Sequence, residues 1–172
     1  MIPFKAAIAA GTRQMMPYYS RPIGTSWEEV AFGFNKGVVT DLLKNQLGFE
    51  GIVVTDWGIV TDRAWGLEDK TELERARRVI EAGCDIFGGE TKPELVIELV
   101  EKGLVTEARI DESVRKLMKE KFELGLFDNP FVDADNAARV AGNPYFSRLG
   151  NETQRRAFTL LTNQNDILPL PL

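Results

Sequence analysis

The sequence predicts an α/β protein built on a parallel sheet, and three observations carry that expectation. Ile52-Val53-Val54-Thr55 has β-type residues with no interior charge and no alternation, the pattern of a strand buried on both faces. Asp85 to Phe87 reads as a second short strand. Between and after these runs lie segments of helical periodicity, joined mostly by short connections that glycines terminate. Periodicity alone is equally compatible with an open doubly wound sheet and with a barrel.

The elements follow in order. Pro3 to Ala10 suits a short helix, with proline in the first turn, Phe4, Ala7 and Ile8 on one face, and Gly11 as its end. Met15 to Ser20 reads as a strand end and loop. Opening on a helix without a preceding strand is the expectation for a chain that starts in mid-barrel. Ser26-Trp27-Glu28-Glu29 has capping-box spacing, although Gly33 and Gly37 would keep any helix there short. From Asn35 to Leu47, Val39, Leu42, Leu43 and Leu47 recur at helical spacing, with Gly48 as the stop.

After Trp57 comes a long polar stretch containing Thr61, Asp62, Arg63, Trp65, Gly66, Glu68 and Asp69, and long loops in compact domains are often functional. Thr71 and Glu74 form a second capping box, opening a helix through Leu73, Ala76 and Ile80 to Gly83. Pro93 opens the next helix, with Val96, Leu99 and Val100 inward and Gly103 as the stop. Ile110 to Leu124 places Val114, Leu117, Met118 and Phe122 on one face. Asp111 is its candidate cap, Gly125 its terminator, and its many charges form the solvated face. Asp128-Asn129-Pro130 is a turn, and 133–143 reads as a linker. A final helix runs from Pro144 to about Leu161, carrying Phe146, Leu149, Ala157, Leu160 and Leu161, and Asn163 to Leu172 breaks it.

Composition narrows the function classes. With 172 residues and 44% hydrophobic content the chain can bury a sizeable core. A formal charge of −5, with the basic residues scattered, disfavours nucleic-acid binding. No apolar run reaches membrane-spanning length, so no membrane partner is expected. The N-terminus lacks signal-peptide character, which leaves the compartment open between cytoplasm and export with a leader lost upstream. The chain has no histidine, excluding histidine triads and histidine metal sites within it. Cys84, the single cysteine, reads as a buried structural thiol. No cofactor motif is present.

The candidate site starts from Asp56. A carboxylate at the C-terminal end of an apolar strand, followed by Trp57 and a glycine that lets the chain turn away, sits where barrel enzymes hold their chemistry. The plainer alternative is that Asp56 caps the following turn. Asp62, Glu68 and Asp69 fit no calcium loop and read as solvated, so no metal site is expected. Gly88-Gly89, after a strand, offers a phosphate-cradle alternative.

The run LLKNQLGFEGIVVTDWG, Leu42 to Gly58, resembles the nucleophile segment of glycoside hydrolase family 3, the β-glucosidase family. The resemblance continues through PFKAAIAAG and MMPYYS upstream, AGCDIFGGE and ARIDESVRKLMKEKFELGLFDNPF downstream, and RRAFTLLTNQNDILPL at the end. It implies the C-terminal portion of a TIM-type (β/α) barrel over residues 1–132, then a linker and the start of a truncated second α/β domain over 133–172. It implies a retaining, exo-acting enzyme that hydrolyses terminal β-D-glucosidic bonds through a covalent glycosyl-aspartate.

In such enzymes one carboxylate attacks the anomeric carbon and a second, roughly 5 to 5.5 Å away, serves as acid and then base. The resemblance makes Asp56 the nucleophile and Trp57 a wall of the sugar site, where an indole face packs on a pyranose. Tyr19 resembles the tyrosine close to the nucleophile, where it would orient Asp56 by hydrogen bonding or simply pack, and its neighbour Tyr18 leaves the register open. Glu90, at the end of the next strand, is a further substrate-binding candidate, while the family's acid/base usually lies in the second domain or an inserted loop.

A full barrel takes about 250 residues, so the expected partners are a β-glucoside or oligosaccharide and the missing barrel segments. A second chain, in a homo-oligomer, could supply the latter. The isolated chain is expected to be inactive. Two other classes stay open: a non-catalytic half-barrel assembly module whose sheet edges pair with another chain, and a phosphate-binding barrel enzyme using Gly88 and Gly89.

Overall fold

Two residues of β1, Gln14–Met15, lie parallel to β2, Ile52–Val53, with Gln14 opposite Ile52 and Met15 opposite Val53. This computed structural model describes residues 1–170; the end of the helix-breaking stretch expected to Leu172 lies outside the described residues. On the other side of β2, a third segment runs parallel through one bridge, Val54 with Ile86. β2 is thus central, and Ile52 and Val53 are buried on both faces, as their unbroken apolar run requires.

The strand expected over Asp85 to Phe87 contracts to that bridge for a visible reason. The amides of Asp85 and Ile86 both donate to the Val53 carbonyl, at 2.7 and 3.1 Å. The Gly88 amide then donates to the Thr55 hydroxyl, at 2.8 Å, instead of to a main-chain carbonyl. The ladder has no further rung to add.

The chain forms two compact units, Met1–Gly125 and Leu126–Leu172. In the first unit, α1 spans Ile2–Ala9. The capping box expected at Ser26 does not form a helix. Glu29 instead accepts from the Gly24 amide at 2.9 Å, and the next helical turn after it is a 3-10 segment at Phe32–Phe34. The periodic stretch that follows is helical over Gly37–Gln46, but with π-type i to i+5 bonding, and it buries Val39 and Leu43. Buried Asn35 organises its start. Its side chain donates to the Glu28 carbonyl at 2.8 Å and accepts from the Val38 amide at 3.1 Å.

α2, Glu72–Ala82, begins as expected: Thr71 and Glu74 form a reciprocal capping box. It ends at Gly83, where φ is 104° and an added Cβ would lie 2.6 Å from the Thr40 hydroxyl. Ala76, Val79, Ile80 and Ala82 face the core, where they join Phe34, Val39, Val53, Ile59, Val60 and Leu99. α3, Pro93–Glu101, buries Leu99 completely and keeps Val96 and Val100 at intermediate exposure.

α4, Glu107–Glu123, starts a turn earlier than expected, because Thr106 rather than Asp111 accepts from the Arg109 amide and caps it. Its orientation also differs. Val114 is 47% and Phe122 64% exposed, while Ser113 is buried and Arg109 and Lys116 turn inward. Arg109 donates to the carbonyls of Ile80 and Cys84, while Ser113 and Lys116 are drawn in by Asp85, whose side chain is 1% exposed. Asp85 accepts from the Val53 amide at 3.0 Å and the Ser113 hydroxyl at 2.7 Å, and it faces Lys116 at 3.3 Å and Lys44 at 3.9 Å. A buried carboxylate demands such partners, and α4 supplies two of them.

In the second unit, α5 spans Ala134–Val140 inside the stretch expected as linker, capped by Asp133 accepting from the Asn136 amide at 2.9 Å. α6 spans Pro144–Ala157, four residues short of the expected Leu161. Among the described residues no helix is long and apolar enough to cross a membrane.

Candidate functional site

The three parallel segments end side by side, and each delivers expected site residues at its C-terminal end. Tyr19 follows β1, Asp56 and Trp57 follow β2, and Gly88, Gly89 and Glu90 follow the Ile86 bridge. Thr55 is fully buried and fixes the last step before Asp56 by accepting from the Gly88 amide. Asp56 itself is half-buried, and one of its carboxylate oxygens accepts from the Trp57 amide at 2.8 Å. This is the turn-capping contact weighed above, and it leaves the second oxygen for other work.

Tyr19 joins this group. Its hydroxyl donates to the Trp57 carbonyl at 2.5 Å. Partial burial, hydrogen bonding to Asp56 and the negative charge of Asp56 push the phenol above its ordinary value, while the positive charge of Arg63 opposes the shift. Tyr19 is therefore a neutral donor held beside a carboxylate. Tyr18, the other residue in question for this register, is 63% exposed and makes a tilted ring contact with Tyr19.

Two residues that sequence reasoning did not assign to the site complete it. Trp65 meets the Tyr19 ring edge-on, with centroids 5.0 Å apart. Arg63 places its guanidinium 5.5 Å from the centre of the same ring and donates to the Trp57 carbonyl at 3.3 Å. The only local signal for either was their position in a long loop.

That loop is anchored. Ile59, Val60 and Ala64 are buried, and Arg75 from α2 donates to the carbonyls of Val60, Leu67 and Glu68 at 3.0 Å each. Glu68 accepts twice from the Gly66 amide at 3.0 Å, a local turn contact. No grouping of metal-ligating side chains occurs among the described residues.

Glu90 lies at the expected strand end, but its carboxylate faces the loop. One oxygen accepts from the amides of Val60 and Thr61 at 2.8 and 3.2 Å, and the other from the Thr61 hydroxyl at 3.2 Å. Gly88 and Gly89 form the surface on which Trp57 rests. A Cβ on Gly89 would lie 2.2 Å from Trp57 Cδ1, and one on Gly88 would lie 2.9 Å from Trp57 Cε3. The glycine pair accommodates an indole, and with the Gly88 amide spent on Thr55 it does not form a phosphate cradle. Trp57 remains 56% exposed.

A parallel α/β scaffold presenting a carboxylate, a tyrosine and aromatic walls at its strand ends has the layout of a strand-end enzyme. Residues 1–119 match the family profile described as the glycosyl hydrolase family 3 N terminal domain. The chain belongs to glycosyl hydrolase family 3. It is 64% identical over 178 residues to a protein of Aspergillus oryzae named "Probable beta-glucosidase C", covering 98% of this chain and 28% of that protein. A periplasmic β-glucosidase/β-xylosidase of Dickeya chrysanthemi is 38% identical over 192 residues, covering 98% of this chain and 29% of that protein.

Among solved structures, a β-glucosidase involved in saponin metabolism from intestinal bacteria superposes with a TM-score of 0.76 at 30% identity. That match covers 98% of this chain and 22% of the other. The chain thus spans less than a third of the length of these relatives.

Proposed function

We propose that this chain is the nucleophile-bearing portion of a retaining, exo-acting β-glucosidase, in which Asp56 attacks the anomeric carbon of a terminal β-D-glucoside. The observation that carries the reading is the placement of Asp56: at the end of the central strand, tethered through one oxygen, and flanked by Tyr19 and exposed Trp57. The names of the relatives support glucosides as the substrate class.

Attack by Asp56 forms the C–O bond of a glycosyl-aspartate as the aglycone oxygen departs with a proton. A second carboxyl group, supplied from outside residues 1–132, gives that proton and then activates the water that releases glucose. Tyr19, a neutral hydroxyl beside Asp56, orients the carboxylate and stabilises its charge between turnovers. The exposed Trp57 face packs against the pyranose. Residues 1–132 then form the last part of a (β/α) barrel and 133–172 lead into a second domain. Catalysis belongs to the protein in which those parts are joined to the remaining segments.

The test is Asp56→Gly in the full-length protein, assayed with an activated aryl β-glucoside. The substitution should abolish hydrolysis, and azide entering the vacated space should restore aglycone release with α-glucosyl azide as the product. Undiminished hydrolysis by Asp56→Gly would overturn the assignment.

A further inference from the structure

We propose that Glu90 is a positioning residue that fixes the direction in which the Trp57 indole faces the substrate. The inference rests on the reading of Trp57 as a wall of the glucoside site. Its geometry, however, is independent of that reading.

Trp57 stands between two supports that both come from the segment Gly88-Gly89-Glu90. Beneath the ring lie Gly88 and Gly89, so close that neither could carry a side chain: the added Cβ would sit 2.9 Å and 2.2 Å from indole carbons. Gly89 also has a φ of 65°, which L side chains rarely adopt. Just beyond the ring, the chain turns at Gly58, whose amide donates to the Gly88 carbonyl at 3.1 Å. Two residues further on, the Glu90 carboxylate takes the amides of Val60 and Thr61 and the Thr61 hydroxyl.

The backbone that leaves Trp57 is therefore bolted to the same three residues on which the indole lies. Val60 is buried at 1% exposure and its carbonyl is held by Arg75 at 3.0 Å, so the loop has one anchored arrangement while Glu90 is in place. Glu90 has no polar contact among those described that points toward Asp56. Its three acceptor contacts all lie on the loop side. Without the carboxylate, two partly buried amides lose their acceptor, and the loop reaches toward water to satisfy them. The indole then loses its fixed aspect.

Substitution distinguishes this role from direct participation in chemistry. In Glu90→Gln the amide oxygen still accepts from Val60 and Thr61, and the NH2 group can donate to the Thr61 hydroxyl. In Glu90→Ala all three contacts vanish. The first readout is fluorescence of the 172-residue chain, with the contribution of Trp57 isolated by subtracting a matched Trp57→Phe variant in each background. Glu90→Ala should red-shift the Trp57 component and lower its anisotropy, and Glu90→Gln should leave both near wild type.

The second readout is steady-state hydrolysis of an aryl β-glucoside by the full-length protein. There Glu90→Ala should raise KM about 10-fold with kcat within about 3-fold, the signature of lost ground-state positioning, and Glu90→Gln should restore KM. An unchanged Trp57 component in Glu90→Ala would overturn the proposal. So would a kcat loss of more than about 100-fold that Glu90→Gln shares and that reshapes the pH profile, because that pattern belongs to an acid or base. If Trp57→Phe itself leaves KM unchanged, the sugar-wall reading fails while the fluorescence result still decides whether Glu90 holds the indole.

Discussion

Removing the Asp85 carboxylate should destabilise the first unit by about 3 kcal/mol, the lower end of the range for breaking a buried charge network. The side chain is 1% exposed and links three elements. It holds the β2 amide of Val53 at 3.0 Å, the α4 hydroxyl of Ser113 at 2.7 Å, and the ammonium groups of Lys116 and Lys44 at 3.3 and 3.9 Å. Asp85→Ala strands a buried amide and a buried hydroxyl, and leaves Lys44 and Lys116 facing each other without a counter-charge. Burial already depresses Lys44, with Asp85 opposing the shift and Lys116 and Arg109 adding to it, so loss of Asp85 lowers it further.

The lysine side chains are 20% and 30% exposed and can swing partly into water, which keeps the cost near the bottom of the range. Asp85→Asn retains one acceptor and should cost about 1 to 2 kcal/mol. Urea unfolding would measure both, followed by circular dichroism and by thiol labelling of buried Cys84, the residue next to Asp85. Pairing Asp85→Asn with Lys116→Met should cost less than the sum of the single changes. A loss below about 1 kcal/mol for Asp85→Ala would refute the claim that this network orients α4 against β2.

Two further outcomes follow from local geometry. Burial pushes the Cys84 thiol up to about 12 from 9.0, so the folded state keeps a proton that the unfolded state gives up. The stabilisation is complete below pH 9 and disappears toward pH 12. At about pH 10.5 the chain should have lost about 2 kcal/mol more than its own Cys84→Ala variant, a difference that paired urea curves at pH 7 and 10.5 would show. Thr71→Ala removes the hydroxyl half of the α2 capping box and should cost about 1 kcal/mol in the same assay, with helix content falling before the cooperative transition.

What was legible in the sequence was local. The unbroken run Ile52 to Thr55 announces a strand buried on both faces, and β2 is the central strand. Thr71 and Glu74 are three residues apart, and both halves of their box form. Tyr19 meets Asp56 and Trp57 because the first follows β1 and the other two follow β2, its parallel neighbour.

What was not legible depends on partners far along the chain. The charges of α4 read as a solvated face, yet Lys116 turns inward because Asp85 lies about one helix earlier in the fold and needs it, and Arg109 turns inward to donate to the carbonyls of Ile80 and Cys84. Glu90 drew attention by strand-end logic, and no spacing rule could show that its carboxylate would be taken by amides near residue 60. Arg63 and Trp65 reach Tyr19 only through the path of a loop whose anchors, Arg75 and Glu90, follow it in sequence. The π-type bonding of Gly37–Gln46 is likewise invisible to periodicity, since Val39 and Leu43 share a face in either helix.

The central claim is that Asp56 is the nucleophile, and covalent trapping tests it most directly. The full-length protein would be incubated with a 2-deoxy-2-fluoroglucoside bearing a good leaving group, then digested and mapped by peptide mass spectrometry. Fluorine at that position slows hydrolysis of the glycosyl-enzyme, so the adduct accumulates. The account predicts one fluoroglucosyl group on the peptide containing Asp56, absent in Asp56→Asn. An adduct on another carboxylate, or none from a preparation that hydrolyses aryl β-glucosides, would contradict it.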